Sequence, residues 1–280
     1  MVDDTNKEAK PVDGLSADEI DAVAQRKAGS AKVVHEVIRL QGDEELDRPL
    51  ASLIFSGFAA GVAISASILT EAAIAARLPD APWRELVVGF GYTVGFVLVI
   101  LGNLQLFTET TVTAVLPVAT HPTRRNVGRM LRLWAAVLVA NMAGTFLVAV
   151  LMAHQLILSA DHLKAAIELS RTALDHPPME VLLLGMPAGF LVATIAWILP
   201  NARGGEFWIV VLITYAIAIG GFSHVVAGSG EAWLLALSGG TSFASAIGGF
   251  ILPALLGNII GGTGLFTVLA HGQVRPEIEE

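Results

Sequence analysis

The 280-residue sequence predicts an all-α polytopic membrane protein with six spans in two inverted groups of three, the middle span of each group being broken. Three observations carry this. Hydrophobic residues make up 54% of the chain and charged residues 15%, too apolar and charge-poor for an ordinary soluble domain. Beyond Pro49 the chain is a succession of apolar runs of ~20 residues, each long enough to cross ~30 Å of hydrocarbon. Two of those runs are interrupted by polar and glycine-rich stretches at corresponding places, "GNLQLFTE" and "GGFSHVVAGSGE".

The elements follow in order. The first 48 residues hold 12 acids and 7 bases and form a tail. Within it, Ser16 and Glu19 have capping-box spacing, and an amphipathic helix carries Ile20, Val23, Val34, Val37 and Ile38 on its apolar side. Residues 49–271 form the six-span transmembrane domain and 272–280 a short second tail. The spans are expected at Pro49–Ala76, Glu85–Gly102 resuming as Thr110–Ala119, Leu131–Leu156, Met179–Leu199, Phe207–Ile219 resuming as Ala232–Leu237, and Phe243–Ala270. Between the third and fourth, "LSADHLKAAIELSRTALDHPP" suits an amphipathic helix on the membrane surface. With six spans and the N-terminus inside, thirteen Lys and Arg fall on the inner side against four outside. That bias places both termini in the cytoplasm; an inner, cytoplasmic membrane is the expected location.

Several function classes drop out. There are no cysteines, hence no disulfides, thiolate metal sites or Cys nucleophile. A net charge of −8 argues against nucleic acid. There is no dinucleotide fingerprint, P-loop or EF-hand loop, and "HEVIR" at His35 lacks the second histidine of a zinc helix. No metal or cofactor is expected. A protease built on Ser229 and His271 needs the two within hydrogen-bond reach, whereas their places in the spans separate them in depth.

The breaks carry the functional signal. Non-helical backbone at membrane depth must be covered by protein or line a wet cavity, and broken helices at matching places of inverted repeats mark a midplane solute site. A half-helix beginning there presents unpaired N–H groups and the positive end of its dipole. Thr108 and Thr110 are placed to cap the restart near Glu109, and Ser229 the restart at Glu231. His224 lies inside the second break, and an ionisable group at that depth is a functional candidate by default. A neutral imidazole there would donate a hydrogen bond to an anion and pass it a proton.

"LQLFT" followed by "VLP", "GFSH" at the second break and "GNIIGG" in the last span resemble, in order and spacing, the formate/nitrite transporter family over Pro49 to Ala270. The resemblance implies an aquaporin-like six-helix protomer, a homo-pentamer with one pore per protomer, and small monovalent anions such as formate and nitrite as solutes, moving with protons. By position Leu106, Phe107 and Thr108 match the pore loop, with Phe107 at a constriction. His224 matches the central pore histidine, with Phe222 and Ser223 beside it.

The chain departs from the family pattern in several places. Gln105 stands where an acid is common, Glu109 where a small residue is usual, and Ser223 where a glutamate often precedes the histidine. Gly189 and Gly228 align with two asparagines usual near that histidine, and Ala173 falls near an expected basic residue. Glu231 adds an acid in the first turn of the second half-helix. These changes point to a divergent branch and leave the solute open. The same scaffold with altered selectivity for a neutral solute or cation, or a decayed pore, are the alternatives. An aquaporin-type pore would need paired Asn-Pro-Ala motifs, which neither break has.

Overall fold

The computed structural model describes residues 29–279, whose regular elements are all helices, without strands among them. The expected capping box at Ser16–Glu19 and the apolar positions Ile20 and Val23 lie outside the described residues. The helix that is described, α1 (Ala31–Asp47), starts one turn before Val34. Ser30 caps it by accepting the Val33 N–H at 3.4 Å. Its buried face is Val34, Ile38, Gly42 and Leu46, an i, i+4 stripe. Each aliphatic side chain on it contributes roughly 1.5–3 kcal/mol to docking.

The spans are α2 (Leu50–Ala75), α3 (Arg84–Leu101), the short α4 (Thr110–Thr120), α5 (Arg124–Ala153), α7 (Pro178–Ile198), α8 (Glu206–Ile219), α9 (Val225–Leu237) and α10 (Phe243–Pro276). The amphipathic α6 (Ala160–Ala173) lies between the two halves in sequence and buries Ala165, Ala166 and Ser170. Helices α3 and α4 are the two pieces of the first broken span, α8 and α9 those of the second.

Two equivalent helix pairs, one in each half, cross with backbones in contact through glycine. A Cβ on Gly61 of α2 would overlap the Asn141 carbonyl of α5, and one on Gly144 the Phe58 carbonyl. In the other half, a Cβ on Gly189 of α7 would overlap the Asn258 carbonyl of α10, and one on Gly261 the Met186 carbonyl. Position by position these correspond: Gly61 to Gly189, Asn141 to Asn258, Gly144 to Gly261. Between apolar helices in lipid there is little hydrophobic drive, so close backbone approach supplies the attraction. The small-xxx-small pairs Gly57/Gly61 and Gly257/Gly261 therefore serve contacts within the protomer.

Helix α10 is not regular. It contains two π-helical stretches, Ala246–Ile251 and Ile260–Thr267. The second aims Thr263 and Thr267 at the Thr111 carbonyl at the start of α4, at 2.8 and 3.3 Å, supplying donors where α4 lacks its own.

Helix α1 is tied to α10 by His35, which is fully buried, with Nε2 3.0 Å from Nδ1 of His271. Burial, the nearby His271 and Arg39 hold His35 below its ordinary value, Glu36 opposing them. A depressed histidine pKa means the undocked state binds more protons below about pH 6.5, so docking weakens as pH falls through that value, by at most about tenfold per pH unit. Glu45 of the same helix acts in the opposite sense. Burial raises its pKa above 4.5 despite hydrogen bonds from Thr113 and Gln105, so docking gains from acid between 4.5 and the raised value. The His35 contribution is thus read as a difference: hydrogen exchange of the α1 amides should quicken on acidification more in the wild type than in His35→Gln. Equal pH profiles would assign the pH response elsewhere.

Candidate functional site

The two breaks meet at the centre of the protomer. The first, residues 102–109, begins with Asn103 in the left-handed region at φ 50°, which turns the chain out of α3. The second is shorter than the sequence pattern predicts. It spans Gly220 to His224, with Gly221 at φ 63°, and the helix resumes at Val225 rather than Ala232. The stretch "VVAGSG" is helical because His224 caps it: its Nδ1 accepts the Ala227 N–H at 3.1 Å. Ser229 is therefore not a cap. It sits a full turn into α9, donating to the Val226 carbonyl and bonded to Thr145 at 2.8 Å, remote from His271 on His35. Glu231 falls in the second turn of α9, not the first.

The first restart also differs from expectation. Thr110 donates back to the Phe107 carbonyl at 2.6 Å, and Thr111 to the Thr108 carbonyl at 2.7 Å. Glu109 holds the cap position without a side-chain bond. Thr108 caps nothing; its hydroxyl lies 2.8 Å from His224 Nε2, joining the two breaks. Since Nδ1 accepts from Ala227, the proton of a neutral ring resides on Nε2 and points at Thr108 Oγ1. Phe96 packs edge-on against the same imidazole at 4.9 Å. Leu106 and Phe107 are buried, Phe107 against Trp134 at 5.7 Å.

Two asparagines hold the breaks open. Asn141 Oδ1 accepts the Phe107 N–H at 2.9 Å, and its Nδ2 donates to the carbonyls of Gly57 and Gln105 at 2.7 and 2.9 Å. Asn258 Oδ1 accepts the Val225 N–H at 2.8 Å, and its Nδ2 donates to the carbonyls of Gly185 and Ser223, both at 2.8 Å. The two clamps are equivalent under the inverted repeat, which makes Leu106 the counterpart of His224. Sequence alignment by position puts the expected asparagines at Gly189 and Gly228 and so counts them lost. The structure has asparagines on the third and sixth spans. Gly189 lets Asn258 approach, and Gly228 faces the Phe250 ring. The signal was present: "NMAG" and "NIIG" put a lone amide in an apolar span one turn before a packing glycine, and intramembrane polar groups are functional candidates by default.

A cavity of about 490 Å³ opens on the side away from α1 and reaches down to Phe222, Ser223, His224 and Phe250. Its wall includes Glu71 of α2 and Glu231 of α9. Glu71 thus faces the pore side of the protomer, as does Glu231. Ala173 also lines the cavity. Glu109 does not; it lies on the other side of His224, in the field of Glu45. Gln105 donates its side-chain N–H to Glu45 Oε1 at 3.3 Å, and Thr113 donates to Glu45 Oε2 at 2.6 Å. The Gln105 Oε1 is buried without a partner. The acid near "LFT" is thus supplied from α1.

Inverted halves, two clamped midplane breaks and a vestibule ending on an imidazole define a helical membrane transport protein of the aquaporin-like type. The chain belongs to the formate/nitrite transporter family: the family model described as "Formate/nitrite transporter" matches residues 32–272. It is similar to "Inner membrane protein YfdC" of Escherichia coli (strain K12), 37% identical over 253 residues, covering 90% of this chain and 82% of that one. It is also similar to "Uncharacterized transporter YrhG" of Bacillus subtilis (strain 168), 27% identical over 243 residues, covering 82% of this chain and 89% of that one. Among solved structures, a "Pentameric formate channel with formate bound" superposes with a TM-score of 0.69 at 20% identity, covering 81% of this chain and 98% of that chain.

Proposed function

We propose that each protomer is a pore for small monovalent anions of weak acids, of the formate and nitrite class, which cross the central constriction with a proton. The observation that carries this reading is the His224–Thr108 pair, which presents an N–H and a hydroxyl where the two breaks meet. An anion inserted there accepts hydrogen bonds from both, close to the N-terminus of α9 with its positive dipole end. The imidazole can share only its Nε2 proton. A second proton on Nδ1 would break the Ala227 cap, so the ring favours a solute that arrives protonated or shares the proton at Nε2. A neutral acid then passes the apolar girdle of Leu106 and Phe107, where a bare charge would be costly. The reading includes both termini in the cytoplasm and an inner-membrane location. It also includes assembly as a homo-pentamer, supported by the likeness to a formate channel that is itself pentameric.

The test is solute flux in proteoliposomes. Formate and nitrite flux should rise between about pH 7 and 5, where more of the solute is protonated, with sodium and glycerol near background. Flux of sodium or glycerol in place of the anions, in protein shown to be folded, would sink the reading.

A further inference from the structure

The vestibule above His224 has the wrong sign for an anion. Its mouth carries Asp80, Glu85 and Glu168. Arg84 is the cation set among them; one of its guanidinium nitrogens donates to the Ala75 carbonyl at 2.9 Å. His176, also at the mouth, is engaged with Glu180 at 3.1 Å. Deeper in, Glu71 and Glu231 face the same space, and neither has a hydrogen-bond or ion-pair partner among the described residues. A carboxylate removed from bulk water without a partner is costly, and two in one cavity repel each other. A vestibule lined by one sign of charge concentrates the opposite sign.

A second, independent feature points to a ligand. Ser223 is only 6% exposed, lines the cavity beside His224, and its hydroxyl has no partner among the described residues. Its backbone is otherwise fully engaged, the N–H on the Leu184 carbonyl and the carbonyl on Asn258. The Tyr92 hydroxyl, on the same wall, also makes no hydrogen bond among the described residues. The cavity thus collects two carboxylates and two hydroxyls with open acceptor positions.

We propose that this vestibule is a cation site: Glu71 and Glu231, with the hydroxyls of Tyr92 and Ser223, bind a small hydrogen-bond-donating monovalent cation, an ammonium ion or small protonated amine, just above His224. The chemistry favours this class over a metal ion. Among the described residues no three carboxylate or imidazole groups are grouped so as to hold a metal, and a hard cation wants six or more close oxygen ligands. Ammonium instead donates up to four hydrogen bonds, which scattered acceptors satisfy. The proposal goes beyond the pore reading. If weak-acid anions do pass, the bound cation offsets two carboxylates that would otherwise turn them away.

Binding is measured without flux, so the two readings fail separately. The full chain in nanodiscs is titrated with radiolabelled methylammonium at about pH 8, where ordinary carboxyls are ionised. The expected result is saturable binding, displaced by ammonium but not by sodium or formate. Glu71→Gln and Glu231→Gln, which keep shape, should each weaken it about tenfold or more. Tyr92→Phe and Ser223→Ala, which remove only a hydroxyl, should weaken it a few-fold and keep the test open if a Gln variant fails to fold. No saturable binding to folded wild type, binding unchanged in the folded variants, or displacement by formate would each overturn the proposal.

Discussion

Replacing Asn141 or Asn258 with alanine should destabilise the protein by roughly 3–6 kcal/mol, and by similar amounts in the two cases. Each amide satisfies one backbone N–H and two backbone carbonyls inside the protomer. Stranding a buried polar backbone group costs about 1–3 kcal/mol, and no water fills the gap in a close-packed interior. The expected readout is a fall in the melting temperature of detergent-solubilised protein on the order of 10 °C, using ~2–4 °C per kcal/mol for a chain of this size. Aspartate should be no better than alanine, because it keeps the acceptor but faces two carbonyls with a carboxylate. Shifts of a degree or two for both alanine variants would show that the clamps hold nothing. A large shift for one and none for the other would show that the repeat symmetry is geometric only.

The six spans, the two breaks, the amphipathic α6 and the placement of His224 within the second break were all legible in the sequence. Hydropathy and glycine placement report directly on what lipid excludes. What was not legible depends on partners far apart in the chain. The second break looked twice its true length because Gly228, Ser229 and Gly230 are poor helix formers in general. In the protein they are helical, because His224 caps the turn and Gly228 accommodates Phe250. Asn141 and Asn258 passed unnoticed because each is one polar residue in an apolar run, and only the fold shows three backbone groups converging on it. Glu45 could not be connected to Gln105 and Thr113 at all, since nothing local to α1 indicates what it docks against.

His224 has two jobs on two nitrogens, and substitution can separate them. Nδ1 caps α9 through Ala227, while Nε2 reaches Thr108. Asparagine is among the best helix caps, and its short side chain can accept the Ala227 N–H but does not extend to Thr108. His224→Asn should therefore fold with nearly wild-type stability, whereas His224→Ala should lose about 1 kcal/mol with the cap. Under the pore reading both should lose formate flux about tenfold or more, and what remains should follow only the concentration of neutral acid outside. Thr108→Val leaves the imidazole in place and removes its partner. It should lower flux while leaving its rise toward low pH in place. Wild-type flux and pH dependence in folded His224→Asn would remove the imidazole from the transport path and leave it a helix cap. Loss of flux in His224→Ala, with flux retained in His224→Asn, would mean that capping α9, not proton chemistry, is what the pore requires of this residue.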